Sequence, residues 1–181
     1  MQLTFLLSVV DRPGVLNRVA SLVRRRGYNI ESLSVGHGET AGISRMTLVI
    51  DGDIEAASRI EANLYKLVHV RRVEHVTGAA TVCRDLALVK VAASAESRSS
   101  IMQLVDVFRA RVVDVAPESL VIETTGTEDK IDGFIEMLRP FGVIEIARTG
   151  RVAMARGLTT PSARRRDAAA DGLDESIACS V

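Results

Sequence analysis

Six consecutive residues, Asp11-Arg12-Pro13-Gly14-Val15-Leu16, carry the most suggestive chemistry in this chain of 181 residues. They follow an apolar run over residues 3–10 and precede a helical pattern, so they form the corner where a strand passes into a helix. Pro13 is expected at the first helical position, where its missing N–H costs nothing. Gly14 places no side chain between a ligand and the exposed N–H groups of the first turn. Those groups and the helix dipole favour a carboxylate or another small anion. Asp11, at the end of the strand, can accept hydrogen bonds from an ammonium group. Together these features suit the two charged ends of a free α-amino acid. The same residues also make an ordinary strand–helix turn, and their types alone do not decide between the two.

No other constellation points to specific chemistry. The sequence has no GxSxG, HExxH, P-loop or GxGxxG pattern, so no catalytic residue is assigned. His37, His69 and His75 lack i,i+4 spacing, and Cys83 and Cys179 are isolated thiols without a CxxC, so no metal site is expected either. Two lone cysteines suit a reduced, cytoplasmic setting. The 23 basic and 23 acidic side chains cancel, and aromatic residues make up only 3%. A nucleic-acid binder needs a basic field or stacking rings, and both are lacking. Arg24-Arg25-Arg26 and Arg164-Arg165-Arg166 are the dense basic runs, and each reads as a solvated face or tail. The apolar run over residues 3–10 has no basic segment before it and is too short to span a membrane.

The elements around the corner follow from periodicity. Residues 3–10 read as a buried strand. Val15, Leu16, Val19, Leu22 and Val23 then fall on one helical face, closed by Gly27 at C′. Strands are expected over 29–35 and 43–50, the second alternating Ser44, Met46, Leu48 and Ile50 against Ile43, Arg45, Thr47 and Val49. Asp53 suits the N-cap of a helix with Ile54, Ala57, Ile60, Leu64 and Leu67 on one side, and a fourth strand lies within 68–76. The order βαββαβ returns in the second half: strand 86–92, a helix lined by Ile101, Leu104, Val105 and Phe108, strands 112–115 and 120–124, a helix lined by Ile131, Ile135 and Leu138, and a strand from 143. An α+β chain of two tandem ferredoxin-like βαββαβ units follows, spanning 1–78 and 82–157, with a disordered tail over 158–181.

Several segments carry a family resemblance. The strand-Asp-Arg-Pro-Gly-Val-Leu-helix opening resembles the ACT domain, a βαββαβ amino-acid sensor. Arg25-Arg26-Gly27-Tyr28-Asn29-Ile30-Glu31-Ser32-Leu33 is similar to the RGYNIESL segment of the small regulatory subunit of acetolactate synthase (acetohydroxyacid synthase). Ser44-Arg45-Met46-Thr47, Lys66-Leu67-Val68-His69-Val70, Leu88-Val89-Lys90-Val91, Phe108-Arg109-Ala110-Arg111-Val112-Val113-Asp114-Val115 and Ile146-Ala147-Arg148-Thr149-Gly150 continue the match through about residue 157.

The resemblance implies regulation rather than catalysis. Its members bind a large catalytic subunit, raise its activity and confer feedback inhibition by valine or another branched-chain amino acid. Thiamine diphosphate, Mg2+ and FAD are then expected on that large subunit and no cofactor on this chain. The resemblance also implies a homodimer through the ACT domains, with the effector between them. One domain supplies the loop Asp11, Arg12, Pro13, Gly14, Val15 and Leu16; the other supplies Asn29 and Ile30. Asn29 can both donate and accept, and Ile30 offers an apolar wall for a branched side chain. The second unit is then expected to serve dimerisation and contact with the catalytic subunit. A freestanding ACT-type sensor acting on another enzyme or on transcription is the alternative. It would use the same pocket, although no helix-turn-helix with a basic face is apparent. A small enzyme on a ferredoxin-like scaffold lacks paired catalytic groups.

Overall fold

Alternation of apolar side chains sets the first sheet. In the computed structural model, which describes residues 1–157 and the backbone at Arg164 and Arg165, a two-residue strand at Arg164–Arg165 flanks four longer antiparallel strands. They are β1 (Gln2–Val10), β2 (Ile30–His37), β3 (Ile43–Asp51) and β4 (Val70–His75), in the order β4-β1-β3-β2. Register pairs Leu3 with Ile50, Phe5 with Leu48 and Leu7 with Met46, so one face of both central strands is continuously apolar. Helices α1 (Val15–Arg25) and α2 (Ile54–Tyr65) cover that face, and Val19, Val23, Ile60 and Leu64 complete a core closed to solvent. Each such side chain contributes roughly 1.5–3 kcal/mol by leaving water. Asp53 caps α2 as its type suggests, accepting from the N–H of Ala56 at 2.7 Å.

The second sheet repeats the plan. It joins β5 (Thr81–Ala92), β6 (Arg111–Ala116), β7 (Ser119–Gly126) and β8 (Val143–Arg148) in the order β6-β7-β5-β8, with α3 (Arg98–Phe108) and α4 (Glu128–Leu138) on one face. Ala87, Val89, Val91, Ile101, Ile122, Ile131 and Phe134 form its core. Two tandem ferredoxin-like βαββαβ units are therefore the architecture, as the periodicity suggests. No described helix is long and apolar enough to cross a membrane.

Two local expectations change. Strand β5 begins at Thr81 rather than near 86, because its first residues pair with β9 (Val152–Ala155), a strand that periodicity does not show. Four residues are too few for a period-2 signal, and the pairing is long-range. Leu16, placed on the buried helical face by spacing, is 44% exposed, because it stands in the first turn beyond the edge of the core. The expected disorder of 158–181 falls outside the described residues except at β10 (Arg164–Arg165), whose backbone pairs antiparallel with β4.

Helix-free faces are where the domains meet. Leu6, on the outer face of the first sheet, packs with Val76, Cys83 and Ala153. The guanidinium of Arg45 donates to the carbonyl of Ala153 at 3.2 Å.

Candidate functional site

Gly14 decides the geometry of the strand–helix corner. It is the N-cap of α1 and adopts φ +83°, ψ −6°, the left-handed region that residues with a Cβ rarely enter. A left-handed residue cannot be the first residue of a right-handed helix. The helix therefore starts at Val15, and Pro13 lies one position before the cap instead of at the first helical position. The loop is held from below: the N–H of Asp11 donates to Gly42 O at 2.8 Å, that of Arg12 to Val10 O at 3.0 Å, and that of Val15 reaches Arg12 O at 3.4 Å.

Among the described residues, no side chain closes the helix end. α1 has no side-chain cap and no acidic residue in its first turn. The N–H groups of Leu16 and Asn17 thus share an open end at which the helix dipole favours negative charge. Arg12, Pro13, Gly14 and Leu16 are all exposed, whereas Val15 is buried and anchors the helix to the core. Asp11 is half exposed, and its Oδ2 lies 3.6 Å from Nδ1 of His37 at the far end of β2. The corner therefore offers backbone donors for a carboxylate and a side-chain carboxylate for an ammonium.

Asn29 and Ile30 are at the other end of the sheet. Ile30 pairs with Ile50, which pairs with Leu3 at the start of β1, while Asp11 follows Val10 at its end. Seven steps separate Leu3 from Val10, about 23 Å at about 3.3 Å per residue. One chain thus brings Asp11 to Leu16 together and does not bring Asn29 or Ile30 to them. Asn29 instead donates from Nδ2 to Glu31 Oε1 at 2.5 Å, and Ile30 is partly buried against the first core.

Two neighbours of the corner escape sequence reasoning. His37 reaches Asp11 only because β2 and β3 pair in register. Val35, 47% exposed, stands on β2 near the same end, where Leu16 is also exposed. No local pattern marks either residue; a strand-pairing map would. Among the described residues, no cluster of three or more His, Cys, Asp or Glu side chains could hold a metal ion.

Comparison with known proteins gives a consistent set of matches. Residues 5–72 match the model of the AHAS small subunit-like ACT domain, and residues 84–157 match that of the small subunit of acetolactate synthase. A probable acetolactate synthase small subunit of Methanothermobacter thermautotrophicus is 51% identical over 153 residues, covering 84% of this chain and 91% of that protein. The acetolactate synthase small subunit of Bacillus subtilis is 46% identical over 155 residues, covering 83% and 88%. The crystal structure of the acetolactate synthase small subunit from Thermotoga maritima superposes with a TM-score of 0.82 at 40% identity, covering 88% of this chain and 99% of that one.

Proposed function

The chain belongs to the family of acetolactate synthase small subunits, and on that premise we propose that it is a non-catalytic regulator of the thiamine-diphosphate-dependent large subunit. It binds and activates that subunit and confers feedback inhibition by valine or another branched-chain amino acid. The observation that carries the effector reading is the open end of α1, where a left-handed glycine leaves the first-turn donors uncapped beside the Asp11 carboxylate.

The effector site is completed by a second copy. β2 is the outermost strand of its sheet and, among the described residues, has no partner on its outer edge. Antiparallel pairing of two copies along this edge sets the His37 end of each chain, with its Asp11–Leu16 loop, beside the partner's Asn29 and Ile30. The 23 Å separation within one chain then disappears. The effector carboxylate takes the α1 donors, its ammonium takes Asp11, and its branched side chain lies among Leu16, Val35 and the partner's Ile30. Asn29 of the partner supplies an amide that donates and accepts. An effector bridging two chains favours the arrangement in which both halves fit, and the large subunit responds to that arrangement.

The test is reconstitution. Acetolactate formation by the large subunit is measured alone, with this chain, and with this chain plus valine, leucine or isoleucine. A rise with the chain and its suppression by one of the three is expected. A large subunit that neither binds the chain nor gains activity removes the proposal.

A further inference from the structure

The segment leaving β8 is fastened to β2 at one place, and its fit there is close. A Cβ on Gly150 would lie 2.7 Å from Ser32 Oγ and 3.0 Å from the carbonyl carbon and oxygen of Leu33. Backbone cannot give way as a long side chain can, so glycine is required for space. The next residue adds directional bonds. The Arg151 N–H donates to Ser32 Oγ at 2.7 Å. Its guanidinium, with the side chain only 17% exposed, donates to Gln2 Oε1 at 2.6 Å and Thr4 Oγ1 at 3.3 Å on β1, and to Glu128 Oε2 at 2.7 Å at the start of α4. One side chain thus joins both domains. A cleft of about 370 Å³ opens beside it, with Glu31, Asp85, Glu128 and Arg148 in its wall.

Strand β2 is irregular at the same place. The ladder with β3 slips between Ile30 and Ser32, leaving Glu31 as a bulge. Asn29 donates to the carboxylate of Glu31, and Ser32 follows directly. A contiguous run therefore leads from Asn29 through Glu31 and Ser32 to Gly150 and Arg151. Bulges re-aim side chains at small backbone cost, which suits a joint that has two settings.

We infer that the Glu31 bulge and the Gly150–Arg151 clasp carry effector occupancy from the first domain into the orientation of the second, an inference that rests on the effector reading above. A ligand that engages the Asn29 amide withdraws it from Glu31. The freed carboxylate shares its cleft with Arg148 and Arg151, Ser32 shifts with the bulge, and the clasp reseats. The second domain feels the effector because the occupied and empty settings hold the clasp differently. Arg151 touches no effector atom; it is a positioning residue.

Full-length Ser32→Ala and Arg151→Met chains, with Arg151→Lys as the conservative variant, test this. Calorimetry with valine, inhibition of the reconstituted enzyme, and hydrogen exchange over 29–33 and 148–155 are read together. In the wild type, valine should alter exchange in both segments. Ser32→Ala and Arg151→Met should bind valine within about threefold of wild type, yet lose most of the maximal inhibition at saturating valine, with exchange over 148–155 no longer responding. Arg151→Lys should recover part of the response. Wild-type inhibition in both variants, with 148–155 still responding, overturns the inference and leaves the effector reading standing. A wild-type chain that binds none of valine, leucine and isoleucine in the calorimeter overturns the effector reading and the inference with it.

Discussion

In the first domain the helix after the opening strand starts on a bare glycine; in the second, the equivalent helix starts on a cluster of its own side chains. Ser94 Oγ accepts from the Ser97 N–H at 3.2 Å and lies 3.1 Å from Ser97 Oγ. The guanidinium of Arg98 donates to the carbonyls of Ala93, Ala116 and Pro117 at 3.2, 2.8 and 2.8 Å. Neither helix has a side-chain cap at its N-cap residue, but around Gly14 no comparable side-chain bonds occur among the described residues, and that corner faces outward. Two domains with one chain order thus differ in how many side-chain bonds they gather at the first strand–helix junction.

The outer sheet faces differ in the opposite sense. In the first domain this face holds Thr4, Thr47 and Glu74, all buried, with Glu74 paired to Arg72 at 2.6 Å and Arg45 bound to Ala153. In the second domain Val82 and Leu88 on β5 and Val152 and Met154 on β9 are exposed by 37%, 37%, 53% and 63%. Val82 pairs with Met154, so these side chains are neighbours across the ladder. Exposed apolar groups gathered on one ribbon suit a protein partner. On the reading proposed above, the first domain takes the small molecule and the second the large partner.

Substitutions can break this contrast, and the largest effect is expected at Gly14. Gly14→Leu adds a side chain at the open helix end and forces it into the left-handed region. Valine affinity should fall more than about 100-fold in calorimetry, about 2.7 kcal/mol, against a backbone strain of about 1–2 kcal/mol. Ser94→Ala at the matching corner should leave affinity unchanged. Equal losses at the two corners would erase the distinction.

Next comes the apolar ribbon. Val82→Asp combined with Met154→Asp should weaken binding to the large subunit about tenfold or more, measured by titrating acetolactate formation, while valine affinity stays at its wild-type value. Loss of valine binding with intact activation would reverse the assignment of the two domains.

Two titrations give smaller effects, one in each region. His75 packs against Phe5 with ring centroids 5.1 Å apart, its Nε2 is enclosed without a hydrogen-bond partner among the described residues, and burial holds its pKa below the ordinary 6.5. The unfolded chain then binds this proton more readily than the folded one, so stability is lost as pH falls below about 6.5. His75→Leu should flatten that part of the melting-temperature profile between pH 7 and 5. Asp85 is shifted the other way: burial raises its pKa above the ordinary 3.8, Glu128 and Asp132 add to the rise, and Arg151 and Arg148 oppose it. The folded chain holds this proton more tightly, so its stabilising effect is present at low pH and fades as pH rises through the raised value. Asp85→Asn should therefore raise the melting temperature at pH 7, and the gain should shrink toward pH 4.

Much of this architecture is legible in the residues. Alternation along β3 and spacing along α2 mark core faces directly, and Asp53 marks a helix start by its type. The corner at residues 11–16 is legible for the same reason, since Asp, Pro and Gly between two periodic runs have local meaning. Pairing is not. His37 beside Asp11, the slip at Glu31, and the four residues of β9 against β5 depend on partners far away in sequence, and no local pattern encodes them. Pro13 shows the limit at close range: its type suits a helix start, yet the left-handed backbone of Gly14 moves that start two residues on.

The proposed effector site is divided between two copies, and a mixing experiment tests that division most directly. Gly14→Leu chains and Asn29→Ala chains are each expected to bind no valine. Unfolded, mixed in equal amounts and refolded together, they should recover about a quarter of the wild-type binding capacity, because half of the dimers then carry one intact loop facing one intact strand. Capacity that stays at zero in a mixture shown to contain mixed dimers would contradict a shared site.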